Sequence, residues 1–364
     1  MKVYFLVCII TFLAQFVTVK DDKQYLKRTI ISFIPLFLFM ALRKDYGVDD
    51  DAYHEYYNLI QRTDNIFSVN EHMGVGYAIF NKIMPSYQLL IAVISALVVW
   101  SYVYVIYKYV PKNFSWLAVL LILGAPSLTV FFAISGLRNA IAAAMAILST
   151  PLIVKRKWWW VIAIGALAMT FHQSAFVIFS ACYLVGNNKP LNKKMMVAWG
   201  IVLVVFGLGS LSTMAQDALP IVDFFMSNYV HQVEGLAEVA DERGITGTLA
   251  GLTFGGGILA YLLLMGNDKR LTKSMSEELG SEKYKFALLF AASFTLGMLG
   301  GRMVQYWIYF FAVAVTCMVA YWKNPAYKVV YLLLVLFYYR VTYMSWVNSL
   351  YFPYYEYSSI LGNF

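Results

Sequence analysis

Apolar residues run almost unbroken along most of this chain, and the interruptions come at intervals suited to membrane-crossing helices. The runs cover about 2–19, 29–42, 87–107, 114–134, 136–153, 158–184, 195–213, 248–266, 286–301, 303–322 and 327–343. Most are long enough to cross roughly 30 Å of hydrocarbon as helices, which satisfy their own backbone groups there. A membrane β-barrel needs apolar and polar residues alternating along strands, and that alternation is absent. The pattern predicts an all-α fold: a polytopic integral membrane bundle of about 11–12 membrane segments, in one transmembrane domain over 1–364. The first run carries no small-x-small cleavage site before Lys20, so it is expected to stay as a helix.

The polar breaks are of two kinds. Those at 20–28, 108–112, 155–157, 189–194, 269–285 and 323–328 are basic and together hold 19 of the 28 Lys and Arg residues. Those at 43–82 and 215–246, with Glu356 near the end, hold 14 of the 20 acids. The positive-inside rule then puts the basic loops in the cytoplasm. With every basic loop inside, parity fails at one place: 158–184 must leave from the inside and return to it. Its length suits a re-entrant pair of half-helices with a polar tip at Thr170-Phe171-His172-Gln173-Ser174, since irregular backbone is tolerated where it lines a polar cavity. A single tilted crossing is the alternative, and it would invert the 215–246 loop.

Two outer segments have helical periodicity. After Asp49-Asp50-Asp51, which suit a helix start, Tyr53, Tyr56, Tyr57 and Ile60 fall on one face at i, i+3, i+4 and i+7. A second helix is expected over 73–84, with Ile79, Phe80 and Ile83 grouped and Pro85 closing it. The outer loops 43–86 and 214–247 are expected to cover a site, and 351–364, rich in tyrosine, to lie at the outer interface.

Composition agrees: 61% hydrophobic and 13% charged residues do not make a soluble globule. The net charge of +8 is scattered over short turns, which fits anionic lipid better than nucleic acid. Cys8, Cys182 and Cys317 sit alone within apolar runs, without metal-ligand spacing. Gly136 with Ala140, Ala142, Ala143, Ala144 and Ala146 would let one helix pack closely.

The candidate chemistry lies in the few charges near or within spans. Burying an arginine costs roughly 2.5–3.5 kcal/mol on insertion scales, so it needs a partner or a cavity. Arg138, Arg302 and Arg340, with His172, all fall near the outer face, which points to an anion bound there. An arginine fork matches phosphate better than a lysine does; snorkelling at helix ends is the competing reading. Asp49, Asp50 and Asp51, with Asp45, could act as a base, hold a cation or merely start a helix. His172, as a neutral imidazole, could accept a proton. His54, His72 and His231 make no zinc spacing, and no nucleotide or Ser-His-Asp motif is present.

Four short elements occur in an order that resembles a known family. Arg43-Lys44-Asp45-Tyr46-Gly47-Val48-Asp49, followed by Tyr53, resembles the opening motif of the EpsG branch of Wzy-like polysaccharide polymerases. Glu71-x-x-Gly74-x-Gly76-Tyr77 resembles the next. Ser135-Gly136-Leu137-Arg138-Asn139-x-Ile141-Ala142 and Phe171-His172-Gln173-Ser174-Ala175 resemble the third and fourth. Asn139 stands where the family usually has Gln. The resemblance covers roughly 40–180 well and the rest only by hydropathy.

It implies a GT-C-like membrane glycosyltransferase that joins undecaprenyl-diphosphate-linked oligosaccharide repeats at the outer face of a bacterial plasma membrane. Undecaprenyl diphosphate would be released. Arg138 and Arg302, with Arg43 or Arg340, would clamp the diphosphate. His172 or Asp49 would take the acceptor proton. Tyr53, Tyr57, Glu71 and Asn139 would bind glycan. No cofactor, metal or nucleic acid is expected; the partners would be membrane lipid and the pathway's chain-length regulator and flippase. A ligase moving glycan to another acceptor lipid, or a transporter of lipid-linked glycan or anions, are the rival readings.

The topology is open to direct test. Single cysteines replacing Asp50 and Val239 in a Cys-free background should react with an impermeant thiol reagent on spheroplasts, and one at Lys273 only after lysis. Labelling of the Val239 position from the inside alone would replace the re-entrant pair with one crossing.

Overall fold

The computed structural model describes residues 2–66, 73–124, 129–179, 306–321 and 357–363, with the single positions 325, 326, 329 and 333. Helix α1 spans Lys2–Leu13 and α2 spans Asp22–Ala41, started by the Asp21 carboxylate, which accepts from the Gln24 amide at 2.7 Å. Two short helices follow, α3 over Asp50–Arg62 and α4 over Val75–Ile83. Helix α5, Tyr87–Tyr109, is capped by Ser86, whose hydroxyl accepts from the Leu89 amide. Then come α6 (Ser115–Leu123), α7 (Val130–Ser135), α8 (Leu137–Val154), α9 (Trp158–Phe171) and α10 (Ile308–Tyr321). Among the described residues the only sheet is a hairpin, β1 (Ser358–Ser359) against β2 (Gly362–Asn363).

These elements, up to the last residue of α10, form one compact unit: Met1–Asn187, Gln305–Ala320 and Ser349–Phe364. A second unit, Asn188–Val304 with Tyr321–Asn348, lies almost wholly outside the described residues. So do the predicted spans at 195–213, 248–266, 286–301 and most of 327–343, the 214–247 loop and Cys182.

Helices α5 and α8 are long and apolar enough to cross a membrane; at 1.5 Å per residue their 23 and 18 residues extend about 34 and 27 Å. The alanines of α8 are buried, and α8 packs against both α5 and α9. The run 114–134 is not one helix: α6 stops at Leu123 and α7 begins at Val130. Large apolar side chains remain exposed on α1, α2 and α9, among them Leu6, Leu13, Ile31 and Leu167, and Trp159 and Trp160 stand out beside the basic turn 155–157. Such a surface fits lipid contact with an aromatic belt, not water.

The helices have a basic end and a motif end. At the basic end, Arg28 Nη1 donates to the carbonyls of Gln15 and Val17, both at 2.8 Å. Its Nη2 donates to the Lys112 carbonyl and the Ser115 hydroxyl. The loops at 20–28 and 108–112 therefore meet. The other end gathers the end of α2, the starts of α5 and α8, and the end of α9. There the hairpin joins the chain after α2: the Lys44 amide donates to Ser358 at 3.0 Å, the Ile360 amide to Leu42 at 2.9 Å, and the Tyr357 hydroxyl to Phe39 at 2.7 Å.

Helix α3 buries the tyrosine face that its periodicity predicts: Tyr53, Tyr56, Tyr57 and Ile60. Helix α4 forms within the predicted 73–84, but it buries Tyr77, Ala78 and Asn81 while Ile79 and Ile83 stay exposed. The reason is close packing, because α4 lies between α3 and the end of α9. Lys82 Nζ crosses to α3 and donates to the carbonyls of Ile60, Gln61 and Thr63, the end where helix carbonyls lack partners.

Gly74 and Gly76 permit that approach. Gly74 has φ +83°, and a Cβ there would stand 2.5 Å from the Thr170 carbonyl oxygen. A Cβ on Gly76 would collide with the Thr170 side chain. Gly74→Ala and Gly76→Ala should each cost about 1–3 kcal/mol of stability, as overpacking does, read as a lower thermal midpoint in detergent. Midpoints equal to wild type would contradict this packing of α4 on α9.

Candidate active site

The tyrosines of α3 and α4 form one aromatic group. Tyr56 stacks on Tyr77 with ring centres 5.9 Å apart, and Tyr53 meets the same ring edge-on at 5.7 Å. Burial raises the pKa of both Tyr56 and Tyr77, and the positive charge of Arg138 opposes that rise in each. Arg138 is half-buried in the first turn of α8, so its guanidinium charge acts on the phenols of two other helices.

The next residue, Asn139, anchors a buried polar knot. Its Oδ1 accepts from the Ser174 hydroxyl at 2.8 Å and from the Tyr306 hydroxyl at 2.9 Å. The Ser174 and Tyr306 oxygens lie 2.9 Å apart, and Ser174 Oγ is 2.6 Å from His172 Nδ1. Helix α9 ends at Phe171, His172 is extended, and a 3-10 turn over Gln173–Phe176 follows. His172 caps that turn: the Ser174 amide donates to Nδ1 at 3.2 Å. The single Ser174 hydroxyl proton goes either to Asn139 Oδ1 or to His172 Nδ1, so the imidazole tautomer is coupled to the orientation of that hydroxyl.

A second polar group lies at the start of α3. Arg43 is 0% exposed and donates to the carbonyls of Met40 at 2.7 Å and Ile134 at 3.2 Å. Asp50 is buried too, and its Oδ1 accepts from the Tyr87 hydroxyl at 2.8 Å. Burial raises the Asp50 pKa, while Arg43, the Tyr87 hydroxyl and the Tyr46 amide favour its charged form and Asp45 opposes it. His54 stacks flat on Tyr87, ring centres 4.6 Å apart. These side chains and the hairpin enclose a cavity of about 620 Å³.

The four sequence elements are thereby interlocked. Arg43 binds the carbonyl of Ile134, and the Val48 amide donates to the Ser135 hydroxyl at 3.3 Å. Gly74 and Gly76 rest on Thr170 and Phe171, and Ser174 binds Asn139. Of the predicted site residues, Arg138, Asn139 and His172 flank the start of α8, with Tyr53 in the aromatic group beside Arg138. Tyr57 faces the other way, its hydroxyl donating to the Met84 carbonyl. Asp49 is exposed and its side chain does not cap α3. Glu71, Arg302 and Arg340 lie outside the described residues. Asp50, Tyr87 and Tyr306 are additions. Asp50 was legible only as one of a run of aspartates, and nothing in the sequence ties Tyr306 to Asn139, which lies 167 residues away. Among the described residues no three His, Cys, Asp or Glu side chains gather as a metal site.

Fold and site together define a mostly helical, membrane-associated protein with a conjoined tyrosine, arginine and amide site at one end of its helices. The model of the EpsG family matches residues 26–359, and the chain belongs to that family. Neither the curated proteins nor the solved structures yield a match.

The knot can be tested by a double-mutant cycle. Ser174→Ala and Tyr306→Phe should each destabilise by about 1–3 kcal/mol, since each leaves buried groups short of a partner. The pair should fall short of additivity by about 0.5 kcal/mol or more. Additive losses would mean that the two hydroxyls act independently.

Proposed function

We propose that the protein is a polysaccharide polymerase: a multi-pass glycosyltransferase of the plasma membrane that joins undecaprenyl-diphosphate-linked oligosaccharide repeats at the outer face. The observation that carries this is the meeting of the four family elements around the start of α8, at the end away from the basic loops. A chain that gathers its family's motifs at one end of the helices has the makings of an interfacial active site. A lipid diphosphate presents its phosphates at that depth. The break at His172, where α9 gives way to an extended residue and a 3-10 turn, supports a re-entrant 158–184.

In this reading Arg138 holds the diphosphate and stabilises the charge that grows on it, with Arg302 and Arg340 as further candidates. His172, held through Nδ1, hydrogen-bonds the same group or a sugar hydroxyl with its Nε2. Tyr53 and Tyr56 give the glycan an aromatic wall. The acceptor hydroxyl oxygen bonds to the donor's anomeric carbon, and the bond from that carbon to the phosphate oxygen breaks. The electron pair leaves with undecaprenyl diphosphate, and the hydroxyl proton passes to a base. A chain-length regulator and a flippase would act before and beside it.

Purified protein given only its cognate lipid-linked repeat should build a ladder of longer lipid-linked glycans, without nucleotide sugar and in the presence of EDTA. A ligase would stay silent until a foreign acceptor lipid was added, and a transporter would lengthen nothing. Arg138→Lys should lose most of the activity at normal protein level, because a point charge does not replace a bidentate fork. Near-normal polymer from Arg138→Ala would make this arginine a snorkelling residue.

A further inference from the structure

Three groups near the site could receive the proton that the acceptor hydroxyl loses, and their surroundings separate them. His172 is tied through Nδ1 to Ser174 in the buried knot and does not line the cavity. Asp49 is exposed at the helix start and does not line the cavity. Asp50, one residue on, is buried, lines the cavity and is held by Tyr87.

The geometry points to the cavity beside Asp50 as the site of the acceptor sugar, with Asp50 as the base that takes its proton; this rests on the polymerase reading above. The cavity's volume of about 620 Å³ lies within the usual range of small-molecule pockets, ~300–1,000 Å³. Its wall suits a neutral polyhydroxylated ligand. The His54–Tyr87 pair offers a ring face. The Gln88 side-chain oxygen, whose NH2 is held by the backbone, and the Asp45 and Asp50 carboxylates offer acceptors for sugar hydroxyls. A diphosphate would fit poorly, because Asp45 and Asp50 outweigh Lys44 in the same space and the Arg43 guanidinium donates to two backbone carbonyls.

The cavity is also well positioned. Asp50 and Tyr56 lie on α3, six residues and so about 9 Å apart along the axis. Tyr56 is within the electrostatic reach of Arg138. One short helix thus joins the acceptor cavity to the arginine proposed for the donor. In the step, the acceptor O–H proton passes to the Asp50 carboxylate as the oxygen bonds to the anomeric carbon. The donor's carbon–oxygen bond breaks with its pair going to the diphosphate.

Asp50 must be ionised to act, so turnover falls as the pH drops through its pKa. Burial lifts that pKa, and the acid limb of the pH profile therefore lies above the ordinary carboxylate range. The charged or titratable groups facing it are Arg43, Lys44, Asp45, His54 and Tyr87. Removing the Tyr87 hydroxyl takes away a donor to the charged form, so Tyr87→Phe should move the acid limb to higher pH.

The test uses full-length protein and lipid-linked repeat extracted from cells of the same strain with this gene deleted. Asp50→Asn should cut ladder formation about 10²–10⁴-fold, while capture of the labelled lipid-linked repeat stays within about twofold of wild type. Near-wild-type extension by folded Asp50→Asn, or loss of capture in step with extension, would overturn the assignment. If Asp50→Asn does not fold, Tyr87→Phe decides: an acid limb that stays where it was also overturns it. The wild-type ladder separates the two readings. Its absence removes the polymerase reading and this inference together, whereas a normal ladder beside an unimpaired Asp50→Asn removes only the inference.

Discussion

A guanidinium shut away from water has to be met by oxygens, and the burial of Arg43 imposes that requirement on everything near the site. It takes the carbonyl of Met40, at the end of α2, and that of Ile134, in α7. Its own carbonyl is reached by Gln88 of α5, and its backbone bridges to Ser359. Three helices and the hairpin at 358–363 are thereby brought to one point. Removing one partner of a buried charge is far more damaging than never having buried it. The neighbouring elements are therefore constrained together: none can shift without leaving the arginine short of acceptors.

Around that point the polar work is divided between two clusters. In the knot of Asn139, Ser174, Tyr306 and His172, two hydroxyl protons serve four contacts, so each member limits how the others orient. That rigidity holds the start of α8, and so Arg138, against the turn after α9. The Asp50 cavity is looser and more mixed in character, with acids, bases and a stacked ring pair. A rigid cationic element beside a roomier polar one is what a transfer between a fixed leaving group and a variable acceptor requires.

Much of this was open to reading from the residues. The long apolar helices α5 and α8 follow from uninterrupted runs, and the buried face of α3 from four residues at helical spacing. Burial in α4 went the other way, because its face of Gly76, Tyr77 and Asn81 packs on the tyrosines of α3 and the end of α9 while its isoleucines turn outward. The break between α6 and α7 was hidden because hydropathy does not distinguish one helix from two in sequence. Within the aspartate run, the choice between Asp49 and Asp50 depends on the exact residue at which α3 begins. One position moves a carboxylate from the surface to the interior. Tyr306 was illegible for a different reason: its partners are remote in sequence, and a lone tyrosine before an apolar helix has no local signature.

The hairpin at 358–363 has a consequence for how the molecule comes into being. Tyr357 reaches back to Phe39 across 318 residues, and the strand beside it completes the wall of the Asp50 cavity. During synthesis the arginine, the knot's first three members and the tyrosine helix all emerge long before that wall exists. The cavity stays unfinished until residues 357–363 have left the ribosome and found the segment after α2. A chain cut short by a nonsense codon or a protease near residue 357 would keep its helices and most of its motifs, yet have an open-sided cavity. Maturation of the site is thus tied to the synthesis of residues 357–363.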